Sequence, residues 1–331
     1  NKRLKADNAA LISVDVKTGQ VIAMVGSKDY FEEEIDGSVN MVTAKRQPGS
    51  SFKPIVYASA FLNGLNPSNY IFDVPMKLGQ NKPKNFDGEF MGPISVKKAL
   101  AQSRNIPAIK SYFVGGEQDQ IINLTEKLGI RSLDRRSDYG WPLSLGTGEL
   151  QMLELAQAYS VFANSGKKVG INPILKILDR SGNVIEDYTD VEPTSVEVID
   201  PEITYLVNES LSDKSIKLGR QMSLEDGRQV ASKTGTSTKK IGEAIYPSNL
   251  WMAGWTPDIV TIAWAGNSDG SKMQNELKTV HQTVLNLERA IDTNQLPNSP
   301  KSRNGDAEGI DKSNANNTIQ NSMNTSTVNT Y

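Results

Sequence analysis

Strand-like and helix-like patterns are segregated along this chain, and that segregation limits the folds open to it. AALISVDVKTGQVIAMV, residues 9–25, reads as two β-rich runs around a Lys17-Thr18-Gly19 turn, a hairpin signal. Three further strand candidates lie far downstream, at 228–237, 249–255 and 259–265, the last two joined by Thr256-Pro257-Asp258. Most of the chain between them carries helical patterns. The strand candidates thus fall at about 8–26 and 228–266, with mostly helical patterns between them.

Within the insert, RQPGSSFKPIVYASAFLNG switches to an apolar helical period that Gly64 ends. Residues 65–94 are rich in turn formers, with Pro67, Pro75 and Pro83. ISVKKALAQSRNIPAIKSYFV reads as helix, break, helix, with the break at Ser103-Arg104-Asn105 just before Pro107. Residues 118–129 and 148–164 are amphipathic helices. In the second, Leu150, Leu153, Ala156, Ala158 and Val161 form a stripe expected to be buried. Residues 172–198 read as short strands and turns, 201–212 as a helix, and about 272–292 as a last helix. Beyond Asn294 the composition collapses into Asn, Ser, Thr and Gly, which predicts a disordered tail over 294–331. The expected organisation is one domain over 1–293, with a helical subdomain at about 65–170, followed by that tail.

Composition removes several kinds of chemistry. Among 331 residues there is no cysteine, which excludes thiol catalysis, Cys-ligated zinc and disulfides. There is one histidine, His281, on which a Ser-His-Asp triad and most zinc sites would have to rest. It lies in QNELKTVHQTVLNLERAI, where a helix-surface residue is the simpler assignment. No metal or cofactor is expected. The 36 basic and 38 acidic residues give a net charge of −2, without the basic excess of a nucleic-acid binder. No apolar run reaches the ~18 residues of a membrane span. The chain opens NKRLKADNAALISVDV without an initiator Met, as expected of a piece of a longer protein.

Three short strings then stand out in order: Ser50-Ser51-Phe52-Lys53, Ser103-Arg104-Asn105 and Lys233-Thr234-Gly235-Thr236. Each is weak alone. Ser-x-x-Lys recurs at Ser95–Lys98, Ser165–Lys168 and Ser237–Lys240, and Lys-Thr-Gly recurs at Lys17. Context separates the copies. Only Ser50–Lys53 follows a Pro-Gly turn and opens a long apolar helix, where free backbone N–H groups favour developing negative charge. The i, i+3 spacing places both side chains on one helix face. The Lys233 copy lies in a strand pattern, whose alternation sends Lys233 and Gly235 to one face and Thr234 and Thr236 to the other. The Lys17 copy is explained by its hairpin turn. The plain alternatives are a helix cap for Ser50, a helix break for Ser103-Arg104-Asn105, and an edge strand with a glycine for 233–236.

Together the strings are the elements of the penicillin-recognising serine enzymes. The chain resembles the transpeptidase domain of class A penicillin-binding proteins from about residue 8 to 270. ISVDVKTGQVIAMVGSKDY, KRQPGSSFKPIVYASAF, FDGEFMGPISVKKALAQSRNIPAI, LSLGTGELQMLELAQAYSVFANSG and LWMAGWTPDIVTIAWAGNSDG carry the likeness in order. Ser232 departs from it, standing where the family often has glycine.

The resemblance implies an α/β (α+β) fold: a central five-stranded antiparallel sheet flanked by helices, plus an all-helical subdomain. It implies Ser50 as nucleophile, Lys53 as its base and Ser103 as proton shuttle. Lys53 must then be neutral, and a nearby Lys233 with partial burial would push its pKa down. Asn105 would hold a substrate amide. Lys233, Thr234, Gly235 and Thr236 would bind the substrate's carboxylate end, and the backbone N–H groups of Ser50 and Thr236 would form an oxyanion hole. The implied reaction is D,D-transpeptidation of peptidoglycan stem peptides ending in D-Ala-D-Ala, with β-lactam antibiotics acylating the same serine. The implied setting is extracytoplasmic, in the periplasm or on the outer face of the bacterial membrane. A parent protein anchored at its N-terminus and working with other cell wall synthesis proteins is expected. The rivals are a D,D-carboxypeptidase or serine β-lactamase, and a non-catalytic β-lactam or peptidoglycan sensor. A class A β-lactamase would need a deacylating glutamate, for which Glu149 and Glu154 are poor candidates because both sit in a helical pattern without the accompanying asparagine.

Overall fold

The computed structural model describes residues 6–133, 139–188, 193–217 and 229–273. Five strands form the main sheet: β1 (Asn8–Asp15), β2 (Val21–Val25), β3 (Ala231–Ile241), β4 (Ala244–Trp255) and β5 (Ile259–Gly266). Their spatial order is β2-β1-β5-β4-β3, and every neighbouring pair is antiparallel. The two ends of the described chain are joined along β1 and β5, in register from Asn8 opposite Gly266 to Asp15 opposite Ile259. Alternation explains the choice of face: Ala10, Ile12 and Val14 of β1, Trp251, Ala253 and Trp255 of β4, and Val260, Ile262 and Trp264 of β5 are all buried. The expected five-stranded antiparallel sheet is present.

Among the described residues there are six α-helices: α1 (Lys53–Leu62), α2 (Val96–Ala101), α3 (Asn105–Val114), α4 (Glu117–Leu128), α5 (Met152–Ala163) and α6 (Pro201–Ser212), of which α5 and α6 pack on the main sheet. α1 is apolar all round, and every residue from Lys53 to Phe61 is buried. Such a helix belongs at the centre of a domain, and α1 contacts α3, α4 and α6. α5 lies on β1 and β5, with Leu150, Ala156, Ala158 and Val161 buried as the stripe predicts and Leu153 packed at its edge. A Gln151–Glu154 capping box starts α5, and Asp200 caps α6 ahead of Pro201.

Residues 65–94, read as rich in turn formers, carry a small antiparallel ribbon in which Tyr70–Asp73 pairs with Gly92–Ser95, leading into α2. The β3–β4 hairpin is longer than expected: β3 runs four residues past 237 and β4 starts five residues before 249, with Ile241 opposite Ala244 at the tip. Pro247 argues against a strand, and the structure accommodates it at a register shift between Pro247 and Asn249. The expected helix at 272–292, with His281, lies outside the described residues except for 272 and 273, as does the whole 294–331 tail.

Candidate active site

The three strings converge on one place. Gly49–Phe52 forms a turn of 3-10 helix that runs directly into α1, so Ser50 stands just ahead of the helix and Lys53 is its first residue. Pro54 occupies the first turn, where its missing N–H removes no helical bond. Ser50 is half-buried, whereas Lys53 is completely buried. Ser103 and Asn105 flank the break between α2 and α3. Ser103 sits there with φ +57°, in the left-handed region that a non-glycine residue enters only under constraint. Lys233 is on β3, the edge strand, and is 4% exposed.

Lys53 and Lys233 face each other across the Ser103 hydroxyl. The Lys53 amine donates to the Ser103 carbonyl at 2.6 Å and to Asn105 Oδ1 at 2.7 Å, and lies 3.4 Å from Ser103 Oγ. Lys233 donates to Ser103 Oγ at 2.8 Å and to the Thr234 carbonyl at 3.0 Å. Among the described residues neither lysine has a carboxylate within ion-pair distance. Burial, and after it the charges of Lys233 and Arg104, holds Lys53 well below the ordinary lysine range, against a smaller opposing pull from Asp73. Burial, then the charge of Lys217, brings Lys233 down to about 7. A neutral Lys53 has two N–H groups, which suit its two short contacts, and one lone pair left to accept a proton.

The strand and the serine turn touch backbone to backbone. A Cβ on Gly235 would fall 2.2 Å from the Pro48 carbonyl and 2.8 Å from Ser51 Oγ. Gly49, at φ +55°, has the same relation to Thr236, whose carbonyl would lie 2.3 Å from a Cβ there. These approaches bring the Ser50 and Thr236 backbones side by side and require glycine at both positions. The burial of β3 follows the expected alternation: Lys233 and Gly235 are buried, Thr234 is exposed and Thr236 half-buried.

Several supporting residues had no usable signal in the sequence. Arg104, between Ser103 and Asn105, is 4% exposed; it pairs with Asp73 at 2.8 Å and Asp87 at 2.6 Å and donates to the Glu89 carbonyl. Asn85 Oδ1 accepts from the N–H groups of Asn105 and Ile106, capping α3 from outside the helix, while its Nδ2 donates to Asp73. Asp73 and Asn85 lie in the turn-rich segment, and nothing local marks them as partners of residues some twenty to thirty positions later. Gly146, in the LSLGTGE run, accepts from the Gly49 N–H at 3.2 Å. Tyr159 of α5 donates to the Ser51 carbonyl and stacks on Trp255 at 4.6 Å.

Asn105, expected to hold a substrate amide, stands beside Lys53. Its Oδ1 is held by Lys53 and its Nδ2 donates to the Lys84 carbonyl at 2.9 Å. Its side chain thus orders the lysine, leaving one N–H for another acceptor. The Lys17 copy stays apart from the site: its ammonium donates to Asn164 Oδ1. Glu154 caps α5 and accepts from the Arg131 N–H, and Glu149 is exposed. Among the described residues no cluster of His, Asp or Glu is suited to a metal ion.

Residues 9–287 match the family described as the penicillin binding protein transpeptidase domain. Penicillin-binding protein 1A of Neisseria meningitidis serogroup A is 34% identical over 271 residues, covering 78% of this chain and 32% of that protein. The chain thus spans about a third of the length of the curated relatives it matches. The structure of the penicillin-binding protein PonA1 from Mycobacterium tuberculosis superposes with a TM-score of 0.71 at 22% identity, over 91% of this chain and 81% of that one. The same protein in complex with penicillin V gives a TM-score of 0.69 with the same identity and coverage.

Proposed function

The chain belongs to the penicillin-binding protein transpeptidase family, and on that premise we propose that it is a serine D,D-transpeptidase working through an acyl-enzyme on Ser50. The observation that carries the proposal is a pair of buried lysines on either side of one serine hydroxyl, neither with a carboxylate within ion-pair distance among the described residues. A lysine held neutral is a base without a histidine, and a second lysine beside it is an anchor for an anion.

In the proposed reaction Ser50 Oγ attacks the carbonyl carbon of the penultimate D-Ala of a stem peptide. Its proton passes to Lys53 Nζ. The oxyanion of the tetrahedral intermediate rests on the Ser50 and Thr236 backbone N–H groups. The C–N bond then breaks, and the leaving D-Ala nitrogen takes a proton from Lys53 through Ser103 Oγ. Lys233, Thr234 and Thr236 hold the terminal carboxylate during this step. The amine of a second stem peptide attacks the Ser50 ester, returning the proton by the same route in reverse and forming the cross-link. A β-lactam enters as a mimic of the dipeptide. Its opened ring keeps the leaving nitrogen tethered, so the ester persists.

We assign the whole chain before the tail to one functional domain. We place it outside the cytoplasmic membrane, with peptidoglycan stem peptides and cell wall synthesis proteins as its partners. Supplying a peptide ending in D-Ala-D-Ala together with a D-amino acid acceptor tests the acyltransfer. Free D-Ala and an exchange product, both dependent on Ser50, support transpeptidation. Free D-Ala with hydrolysed peptide alone indicates a carboxypeptidase, and no turnover indicates a binding domain.

A further inference from the structure

Ser232, the residue before Lys233, is 6% exposed and is gripped from outside the sheet. The Lys217 ammonium donates to its carbonyl at 2.9 Å and lies 2.6 Å from its hydroxyl. β3 is the edge strand, so its outward backbone groups need partners from elsewhere. One residue earlier, the Ile216 carbonyl accepts from Gln102 Nε2 at 2.8 Å. Gln102 is the residue before Ser103. The short segment after α6 therefore holds the positions preceding two site residues, Ser103 and Lys233, whose side chains meet at 2.8 Å.

The segment is itself fixed at its other end. Lys97 of α2 pairs with Glu209 of α6 and with Asp213 at 2.8 Å. Asp213 Oδ1 accepts from the N–H and the hydroxyl of Ser215. A strap from Asp213 to Lys217 thus ties the α2 end of the Ser103 turn to the β3 edge.

We propose that Lys217 is a positioning residue for acylation, holding β3 through Ser232 so that Lys233 stays in contact with the Ser103 hydroxyl. The proposal rests on the acylation reading of Ser50, Lys53, Ser103 and Lys233. A hydroxyl at 232 gives Lys217 a second acceptor beyond the carbonyl, which glycine would not. Among the described residues, Lys233 faces the Ser103 hydroxyl of the α2–α3 turn, with Lys53 of α1 on the far side of that hydroxyl, and feels the charge of Lys217 from the strap; Arg104 and Asp73 act on Lys53. β4 places uncharged Ala253 opposite Lys233. Lys217 therefore adds positive charge as well as position.

The test is the second-order rate of acylation by benzylpenicillin across pH, for the unsubstituted protein and for Lys217→Met, Lys217→Arg and Ser232→Gly, with melting temperatures alongside and Ser50→Ala as the control. Lys217→Met is expected to lower the rate on the order of 10-fold near neutral pH, as sub-ångström to ångström displacements of reacting groups do. It also removes a cation beside Lys233, so the alkaline limb of the profile moves to higher pH. Lys217→Arg restores most of the rate, and Ser232→Gly falls between. A variant that only loosened the fold would slow the reaction equally at every pH and would not be rescued by arginine. That result, or a Lys217→Met rate and profile equal to the parent's, overturns the inference while leaving acylation at Ser50 intact. Absence of any Ser50-dependent adduct in the parent overturns the functional reading, and this inference with it.

Discussion

Lys53 and Lys233 set the character of the site because both are buried without a carboxylate among the described residues. A lysine whose pKa is lowered by folding binds its proton less well in the native state than the value of about 10.4 it has unfolded. The unfolded chain then binds more protons between the two values, so stability rises with pH across that window. With Lys233 near 7, the protein should gain stability from pH 7 to about 9, at up to about 1.4 kcal/mol per pH unit for each lysine that has lost its proton in the native state. Denaturant unfolding at stepped pH measures the slope, and Lys233→Met should flatten it. A stability that falls over this range contradicts the charge states assigned here. Arg104 makes the opposite case. Its partner Asp73 is fully buried, so Arg104→Met strands a carboxylate and should cost about 3–5 kcal/mol. Arg104→Met combined with Asp73→Asn should recover part of that loss, measured by the same unfolding curves.

At the scale of elements, the meeting of β3 with the serine turn is what assembles the site. Gly235→Ala would drive a methyl into the Pro48 carbonyl and the Ser51 hydroxyl. The strand must move away, and acylation should drop on the order of 100-fold. Gly242 at the tip of the same hairpin has φ +60° and open space around it. Gly242→Ala should cost about 1 kcal/mol of stability from backbone strain and leave the acylation rate unchanged. Equal effects at the two glycines would mean that the contact with the serine turn is not what matters. The hairpin also marks a limit of the sequence. Its core-facing half, with Trp251, Ala253 and Trp255, was legible from alternation. The outer half, with Lys239, Lys240 and Pro247, was not, because an exposed edge carries no hydrophobic period and proline argues against it.

For the whole molecule, the main-sheet strands and α5 were legible because each buries one periodic face, α1 because its apolar run is bounded by Pro-Gly and Gly64, and the three strings because order and context singled out one copy of each. What brings them together was not. Asn85 capping α3, Arg104 on Asp73, Gly146 under Gly49 and Lys217 on Ser232 are contacts between elements, and local sequence carries no record of them. The contact of Lys53 with the Asn105 carbonyl oxygen is another such contact between elements. The convergence around Ser103 is nevertheless specific enough to be tested in one tube. Intact-protein mass spectrometry after incubation with benzylpenicillin, with the free drug followed in parallel, should find a lasting adduct of one drug mass on the parent and on Lys17→Ala, and none on Ser50→Ala. An adduct that survives Ser50→Ala, or drug consumed without any adduct, would contradict an acyl-enzyme built on Ser50.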